Sequence, residues 1–204
     1  IYTLSLHDAL PICFQEACEK FGVTCRGSFD LSDGWDWRKI RCRARAEEAI
    51  ELMDPDVLLI CPPCGPLSKL QNLTPASKRL DPEAFAREQR IAGMMVDWSV
   101  RMALKQLSRG KDYIFESSQG CHAWKRESVE RLRRASWHQQ VDVPACAVGL
   151  KDKSSGHLFG KKWRFMTSKP SVAAVLERLK CSGDHVHQAV EGSSGGQLRS
   201  VQSQ

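Results

Sequence analysis

The chain has 204 residues, of which 42% are hydrophobic and 26% are charged. This length and composition predict one globular domain with a sizeable core. No apolar run approaches the roughly 20 residues that a transmembrane helix needs, so we predict no membrane segment. The formal net charge of +6 favours an anionic partner, with nucleic acid as the first candidate and DNA ahead of RNA.

Nine cysteines are present, an odd number at irregular spacing, and no signal peptide is evident. This pattern indicates free, mostly buried thiols in a reducing compartment inside the cell, which would be the nucleus if DNA is the partner.

Residues 1–12 resemble the in-frame translation of a common sequencing adapter. We set them aside from the fold prediction and expect an N-terminally truncated chain whose natural start lies upstream. The remainder divides into an α/β domain at 13–180 and a tail at 181–204. The Gly, Ser and Gln composition of that tail predicts disorder from about residue 192.

Apolar periodicity and turn residues predict alternating helices and strands along this domain. The predicted helices span residues 13–21, 37–53, 82–108, 124–135 and 171–179. The predicted strands span residues 23–29, 57–60, 113–115, 140–143 and 163–167. Asp36 suits the N-cap of the second helix, whereas 149–162 is expected to form a surface loop. The order favours a three-layer α/β fold.

The strand at 57–60 stops at Pro62 and Pro63, which have a fixed φ and no amide hydrogen. They stiffen a loop that carries Cys64 and Ser68. Sites in open α/β sheets lie beyond the carboxyl ends of strands. Glu116 ends the next predicted strand, so a parallel sheet would bring a thiol and a carboxyl group together. Such a pair is suited to nucleophilic catalysis with acid assistance.

These segments resemble motifs of the DNA cytosine-C5 methyltransferases, in the same order along the chain. Pro63-Cys64-Gly65-Pro66-Leu67-Ser68 is similar to the Pro-Cys-Gln segment of that family, with Gly65 in place of Gln. Phe115-Glu116-Ser117-Ser118 is similar to its Phe-Glu-Asn-Val segment, with Ser117 in place of Asn. Lys162-Trp163-Arg164 keeps two cations of its Gln-x-Arg-x-Arg strand. The whole pattern looks closest to divergent methyltransferase-like domains found beside retroelement genes.

The resemblance implies a Rossmann-like fold that binds S-adenosylmethionine (SAM) and transfers its methyl group to a base. It implies Cys64 as the nucleophile, Glu116 as the acid, and Asp30 with Pro63 at the cofactor. By the same resemblance, the residues at the nucleic acid are Ser68, Lys162 and Arg164. The glycine-rich SAM loop should precede residue 13, so we expect this chain alone to be inactive as a methyltransferase.

Three other interpretations remain open. The chain could be a non-catalytic nucleic-acid-binding relic of the methyltransferase fold, because cations occur at 38–45 and in the loop at 151–164. Cys61-Pro62-Pro63-Cys64 also has the spacing of a thiol-redox site. Cys181, His185 and His187 could bind zinc with Cys146 or Cys121, but they lack the paired spacing of a zinc finger, so we predict no metal.

Overall fold

The structure is a computed structural model. It describes residue 18 and residues 22–69, 81–152 and 155–189, together with residues 2–5 by their backbone alone. Apart from Cys18, the predicted helix at 13–21 lies outside these residues, as does the predicted disorder from residue 192.

The described part of the chain contains four α-helices and eight β-strands. The helices are α1 (Ile40–Met53), α2 (Pro82–Ser108), α3 (Glu127–Ala135) and α4 (Pro170–Leu176). The first five strands are β1 (Tyr2–Ser5), β2 (Gly27–Phe29), β3 (Val57–Cys61), β4 (Asp112–Ser118) and β5 (Gln139–Pro144). The last three are β6 (Leu158–Phe159), β7 (Lys162–Thr167) and β8 (His187–Gln188). From residue 37 to residue 176, the predicted order of helices and strands is therefore confirmed except for β6, which was not predicted.

Six strands form one mixed sheet in the order β2-β1-β3-β4-β7-β5. The first four run parallel to one another, whereas β7 is antiparallel to both β4 and β5. The strand between β2 and β3 is Tyr2–Ser5, which lies in the segment that the fold prediction set aside. The molecule is therefore a mixed α/β protein, as the alternation of elements predicts.

Helices cover both faces of the sheet. Leu58, Ile60 and Phe115 belong to one face, where they pack in a cluster with buried residues of α1, α2 and α3. Val57, Leu59 and Ile114 belong to the other face, together with Phe165 and Val172, and Val172 is a residue of α4. Because side chains alternate along a strand, β3 reads as a continuous apolar run only when both of its faces are buried.

An aromatic stack joins the end of β2 to α2. Trp37 lies 6.0 Å from Trp35 and 5.0 Å from Trp98 between ring centroids, and both pairs are stacked. Phe29 meets Trp35 edge-on at 4.8 Å. Trp37 is 2% exposed, so this ring fills the space between the segment before α1 and the long helix.

Three predicted details are wrong. Asp36 does not cap α1, because its carboxylate accepts hydrogen bonds from the backbone N–H and the guanidinium of Arg38, before the helix begins. The expected surface loop at 149–162 contains β6 and the buried Asp152. The first residues of the expected tail are folded, since β8 pairs in parallel with β6.

Among the described helices, none is both long enough and apolar enough to span a bilayer.

We expect Trp37→Ala to lower the free energy of unfolding by about 3–5 kcal/mol, because truncating a buried Trp removes its transfer energy and leaves a cavity. Urea denaturation followed by circular dichroism measures this difference. Trp137→Ala is the matched control, since Trp137 is 58% exposed, and a change within about 0.5 kcal/mol is expected there. Equal losses in the two variants would contradict this description of the core.

Candidate active site at the carboxyl edge of the sheet

The carboxyl ends of β3 and β4 meet, as the sequence predicts. Ile60 pairs with Phe115 in parallel register, so the next residues, Cys61 and Glu116, lie abreast. Adjacent strands are about 4.8 Å apart. Cys61 is 3% exposed and Glu116 is 8% exposed. A thiol and a carboxyl group are therefore neighbours at this edge, but the buried thiol beside Glu116 is Cys61.

Burial raises the pKa of the Cys61 thiol well above its ordinary value, and the neighbouring negative charge of Glu116 raises that pKa further. Cys61 consequently remains protonated at neutral pH. A protonated, buried thiol is a poor nucleophile and a poor partner in disulfide exchange. This environment disfavours the redox interpretation of the Cys61–Cys64 pair.

Cys64 occupies the loop beyond the two prolines and is only half-buried. Its carbonyl accepts a hydrogen bond from the N–H of Leu67 at 3.1 Å, which begins the short 3₁₀ turn Gly65–Leu67. Its Sγ lies 3.7 Å from the hydroxyl of Ser118, the last residue of β4. The thiol of Cys64 thus reaches from the end of β3 to the end of β4, and it is more accessible than that of Cys61.

Cys121 is a further thiol in this neighbourhood that the catalytic prediction missed. The charges of both Cys64 and Glu116 act on its pKa, although burial is the main reason that this pKa is raised. Its Sγ also accepts a hydrogen bond from the N–H of Ala123 at 3.4 Å. Cys121 therefore caps the 3₁₀ turn at 122–125. Its thiol lies close enough to Cys64 and Glu116 for their charges to affect its pKa.

The two residues predicted to contact a cofactor flank β1. Asp30 follows β2 and is fully buried, while Pro63 follows β3. Leu4 of β1 pairs with Phe29 on one side and with Ile60 on the other. The ends of β2 and β3 are therefore two strand spacings apart, about 10 Å. The sheet order reverses at β1, and such a point is where open α/β sheets bind ligands.

The carbonyl of Asp30 accepts hydrogen bonds from the N–H groups of Asp33 and Trp35, at 3.1 and 3.0 Å. These bonds fold a tight turn directly after β2. They hold the backbone of Asp30 at the carboxyl end of β2.

Of the three residues predicted to contact nucleic acid, Arg164 is already paired within the protein. Its guanidinium donates two hydrogen bonds to Asp142, at 2.7 and 2.9 Å, from the directly opposite position on β5. This bonding to Arg164 keeps the pKa of Asp142 below its usual value, although partial burial opposes the shift. Arg164 also lies 5.8 Å from the ring of Trp124.

Lys162 is exposed at the amino end of β7. Because β7 is antiparallel to β4, this end lies at the edge that carries Cys64 and Glu116. Ser68 is half-buried just after the 3₁₀ turn, and its N–H bonds to the carbonyl of Gly65 at 3.1 Å. Lys162 is thus the more accessible of the two predicted cations.

Cations near the start of α1 make local interactions. Arg38 pairs with Asp36 at 2.8 Å, and Arg43 donates to the carbonyl of Arg38 at 3.1 Å. Arg45 lies 5.2 Å from the centre of the Trp35 ring. Three cations of this run therefore already have partners within the protein.

A second group of reactive side chains, two cysteines and two histidines, lies away from the carboxyl edge of the sheet. Four potential metal ligands converge near the end of the described chain: Cys146, Cys181, His185 and His187. The sequence prediction left Cys121 and Cys146 as alternatives for the fourth position, and the structure selects Cys146. The sequence predicts no metal here, because Cys181, His185 and His187 lack the paired spacing of a zinc finger.

Comparison of the chain with protein-family models, with curated proteins and with solved structures finds no match.

We expect Cys61 to react with iodoacetamide far more slowly than Cys42 in the folded protein at neutral pH, because its thiol is buried and its pKa is raised. Peptide mapping by mass spectrometry after timed alkylation gives both rates. In urea the difference should vanish. Equal rates in the folded protein would contradict the assigned environment of Cys61.

Proposed function

We propose that this α/β domain is a SAM-dependent, DNA cytosine-C5 methyltransferase-like protein that captures a cytosine between Cys64 and Glu116. One observation carries the proposal. The loop of Cys64 and the end of the Glu116 strand meet at the carboxyl edge of parallel strands, beside the point where the sheet order reverses. That location is the usual ligand crevice of open α/β folds.

The sheet order supports the Rossmann-like part of the proposal. From β1 the chain moves outward to β2, returns across β1 to β3, and then continues to β4. The parallel half of the sheet therefore has one reversal, which resembles doubly wound nucleotide-binding folds. Helices on both faces fit the same architecture.

The residues around this reversal fit the sugar of a nucleoside-type cofactor. Asp30 is a buried carboxyl group, and a carboxylate at the end of the second strand can accept hydrogen bonds from ribose hydroxyls. Pro63 offers an apolar surface after β3. SAM held there would supply an electrophilic methyl group.

The chemistry assigned to the protein side chains begins at Cys64. Its thiolate adds to C6 of cytosine, a bond from sulfur to carbon forms, and the C5–C6 double bond opens. Glu116, in its acid form, donates a hydrogen bond to N3 and places a proton there. Carbon 5 then has the electron density of an enamine and can accept an electrophile. Water then takes the C5 proton, the C5–C6 double bond re-forms as the thiolate departs, and the proton on N3 returns to Glu116, which restores the ring.

The buried position of Glu116 suits this role. Only the protonated form of a carboxyl group can donate to N3, and a base bound against the buried Glu116 would keep water away from that hydrogen bond. The target base would have to leave its stack to reach the edge of the sheet, which costs a few kcal/mol in a duplex. Single-stranded substrate avoids most of this cost.

Exchange at carbon 5 tests the proposal in the present chain, because it requires the thiol addition but no methyl donor. We expect the protein to release tritium from single-stranded DNA that carries 5-tritiated cytosine. During this exchange, C5 takes a proton from water and then loses tritium as the thiolate departs. Cys64→Ser should abolish the release, and Glu116→Gln should reduce it at least about 100-fold, as expected for loss of a general acid.

Cys42→Ser is the matched control, since Cys42 is a half-buried cysteine on α1, and its release should equal that of the parent. Circular dichroism of each variant shows whether it is folded. Release that persists in folded Cys64→Ser, or that never exceeds protein-free DNA, would overturn the proposal.

A second candidate function is non-catalytic binding of nucleic acid at the same edge. It is favoured by Lys161, whose ammonium lies 5.3 Å from the ring of the half-buried Trp163. A cation beside an accessible aromatic ring is a common arrangement in proteins that bind single strands. The exposed Lys162 adds a second charge to this surface.

We expect Lys162→Ala to weaken DNA binding and to reduce the slope of log K against log salt by about one, because one phosphate contact is lost. Fluorescence anisotropy with a labelled oligonucleotide at several salt concentrations measures both quantities. Lys169→Ala is the control, since Lys169 lies at the opposite edge and pairs with Asp112. Equal effects would indicate attraction by net charge alone.

A further inference from the structure

Two thiols and two imidazoles converge where the described C-terminal segment returns to the end of β5. All four candidate ligand atoms lie within 4.8 Å of one another. Cys181 Sγ is 3.7 Å from His185 Nε2 and 3.5 Å from His187 Nε2. His187 Nε2 is in turn 3.2 Å from Cys146 Sγ and 3.0 Å from His185 Nε2.

We propose that this cluster is a structural zinc site with four protein ligands: Cys146, Cys181, His185 and His187. Two alternative explanations of the cluster are a disulfide and a pair of histidines that bind no metal. Both make different predictions, which are tested below. The proposal is independent of the methyltransferase-like function.

Four of the six separations between the ligand atoms are close to the edges of a zinc tetrahedron. Zinc–sulfur bonds of about 2.3 Å and zinc–nitrogen bonds of about 2.0–2.1 Å imply edges of about 3.3–3.8 Å around a tetrahedral ion. The four separations between 3.0 and 3.7 Å differ from those edges by a few tenths of an ångström. The other two separations are no more than 4.8 Å, so binding of zinc would draw the four ligands slightly closer together.

The donor set selects the metal and its role. Thiolate and imidazole ligands favour zinc over magnesium or calcium, which prefer oxygen. Four protein ligands leave no open position for water or substrate, and closed sites of this kind are structural. The site would therefore stabilise the fold and would not take part in a reaction.

A carboxylate lies behind one ligand. His185 Nδ1 is 3.0 Å from Asp184 Oδ1. An Nδ1–H that donates to this carboxylate leaves the lone pair of Nε2 directed at the other ligands. Histidines that bind metals commonly have their second nitrogen oriented in this way.

The surrounding segment has little other apolar support. Val186, between the two histidines, is 81% exposed. The contacts that hold β8 are polar, with Gly160 N–H donating to the carbonyl of Gln188 at 2.9 Å and the Gln188 amide donating to Asp152 at 2.9 Å. Burial of hydrophobic area therefore contributes little to docking this segment, whereas metal binding can supply folding free energy directly.

The experiment measures metal content and ligand identity in the full chain, purified with a thiol reductant and without chelator. Elemental analysis should find about one zinc per chain. Replacement by cobalt(II) should produce the intense visible absorption of a tetrahedral site and a thiolate-to-cobalt charge-transfer band. The double variant C146S/C181S should lose both the zinc and the charge-transfer band.

The matched control is C42S/H138Q, which removes one cysteine and one histidine that lie outside the cluster. It should retain the zinc and the cobalt spectrum. Asp184→Asn should weaken zinc binding by about tenfold, as loss of a carboxylate behind a metal ligand generally does. Competition with a chromophoric chelator measures this change.

Removal of the metal by a chelator should also weaken the pairing of β8 with β6. Amide hydrogen exchange at Gly160 should accelerate on addition of chelator in the parent protein and in C42S/H138Q. Protein that contains no zinc, gives no tetrahedral cobalt spectrum, or retains its zinc in folded C146S/C181S would overturn the proposal. A Cys146–Cys181 disulfide in freshly purified, unreduced protein would overturn it as well.

Discussion

The parallel pairing of β3 with β4 is the interaction on which the candidate active site depends. Both strands are buried on two faces, and Ile60 opposite Phe115 sets their register. A slip of one residue would move every side chain of one strand to the other face, so the apolar residues on both faces hold the register firmly. The same register places Cys61 beside Glu116 and directs the following loop toward Ser118.

Burial then divides the chemistry between two cysteines that are only three residues apart. Cys61 still belongs to the strand, where low polarity and Glu116 keep its thiol protonated. Pro62 and Pro63 end the strand and carry Cys64 out to a half-buried position. The two thiols differ because Cys61 lies within the sheet and Cys64 lies beyond its edge. Solvent reaches the thiol more easily beyond the edge and can stabilise a charged thiolate there. The adjacent strand also affects Arg164, because its guanidinium forms an ion pair with Asp142 on β5.

The two ends of the described fold are stabilised in different ways. Around α2, large apolar and aromatic side chains such as Trp37, Trp98 and Phe115 form one continuous core. Beyond α4, the chain is held by polar contacts and by the convergence of thiols and imidazoles on Cys146. Hydrophobic area accounts for the sheet and its helices, and a bound zinc ion would account for why so polar a segment stays folded against them.

Features that repeat locally can be predicted from the amino-acid pattern alone. The 27-residue helix α2 was predicted at its observed bounds, because Pro82 and a 3.6-residue apolar period mark it. The strand before Pro62 and the meeting of the Cys64 loop with the Glu116 strand followed from an apolar run and from the geometry of parallel sheets. Only the tertiary structure decided the position of β1, the Asp142–Arg164 pair, the two-residue strands β6 and β8, and the choice of Cys146 over Cys121. Each of these depends on contacts between segments far apart in the chain, and a two-residue strand is too short to show a period, so no local pattern encodes them.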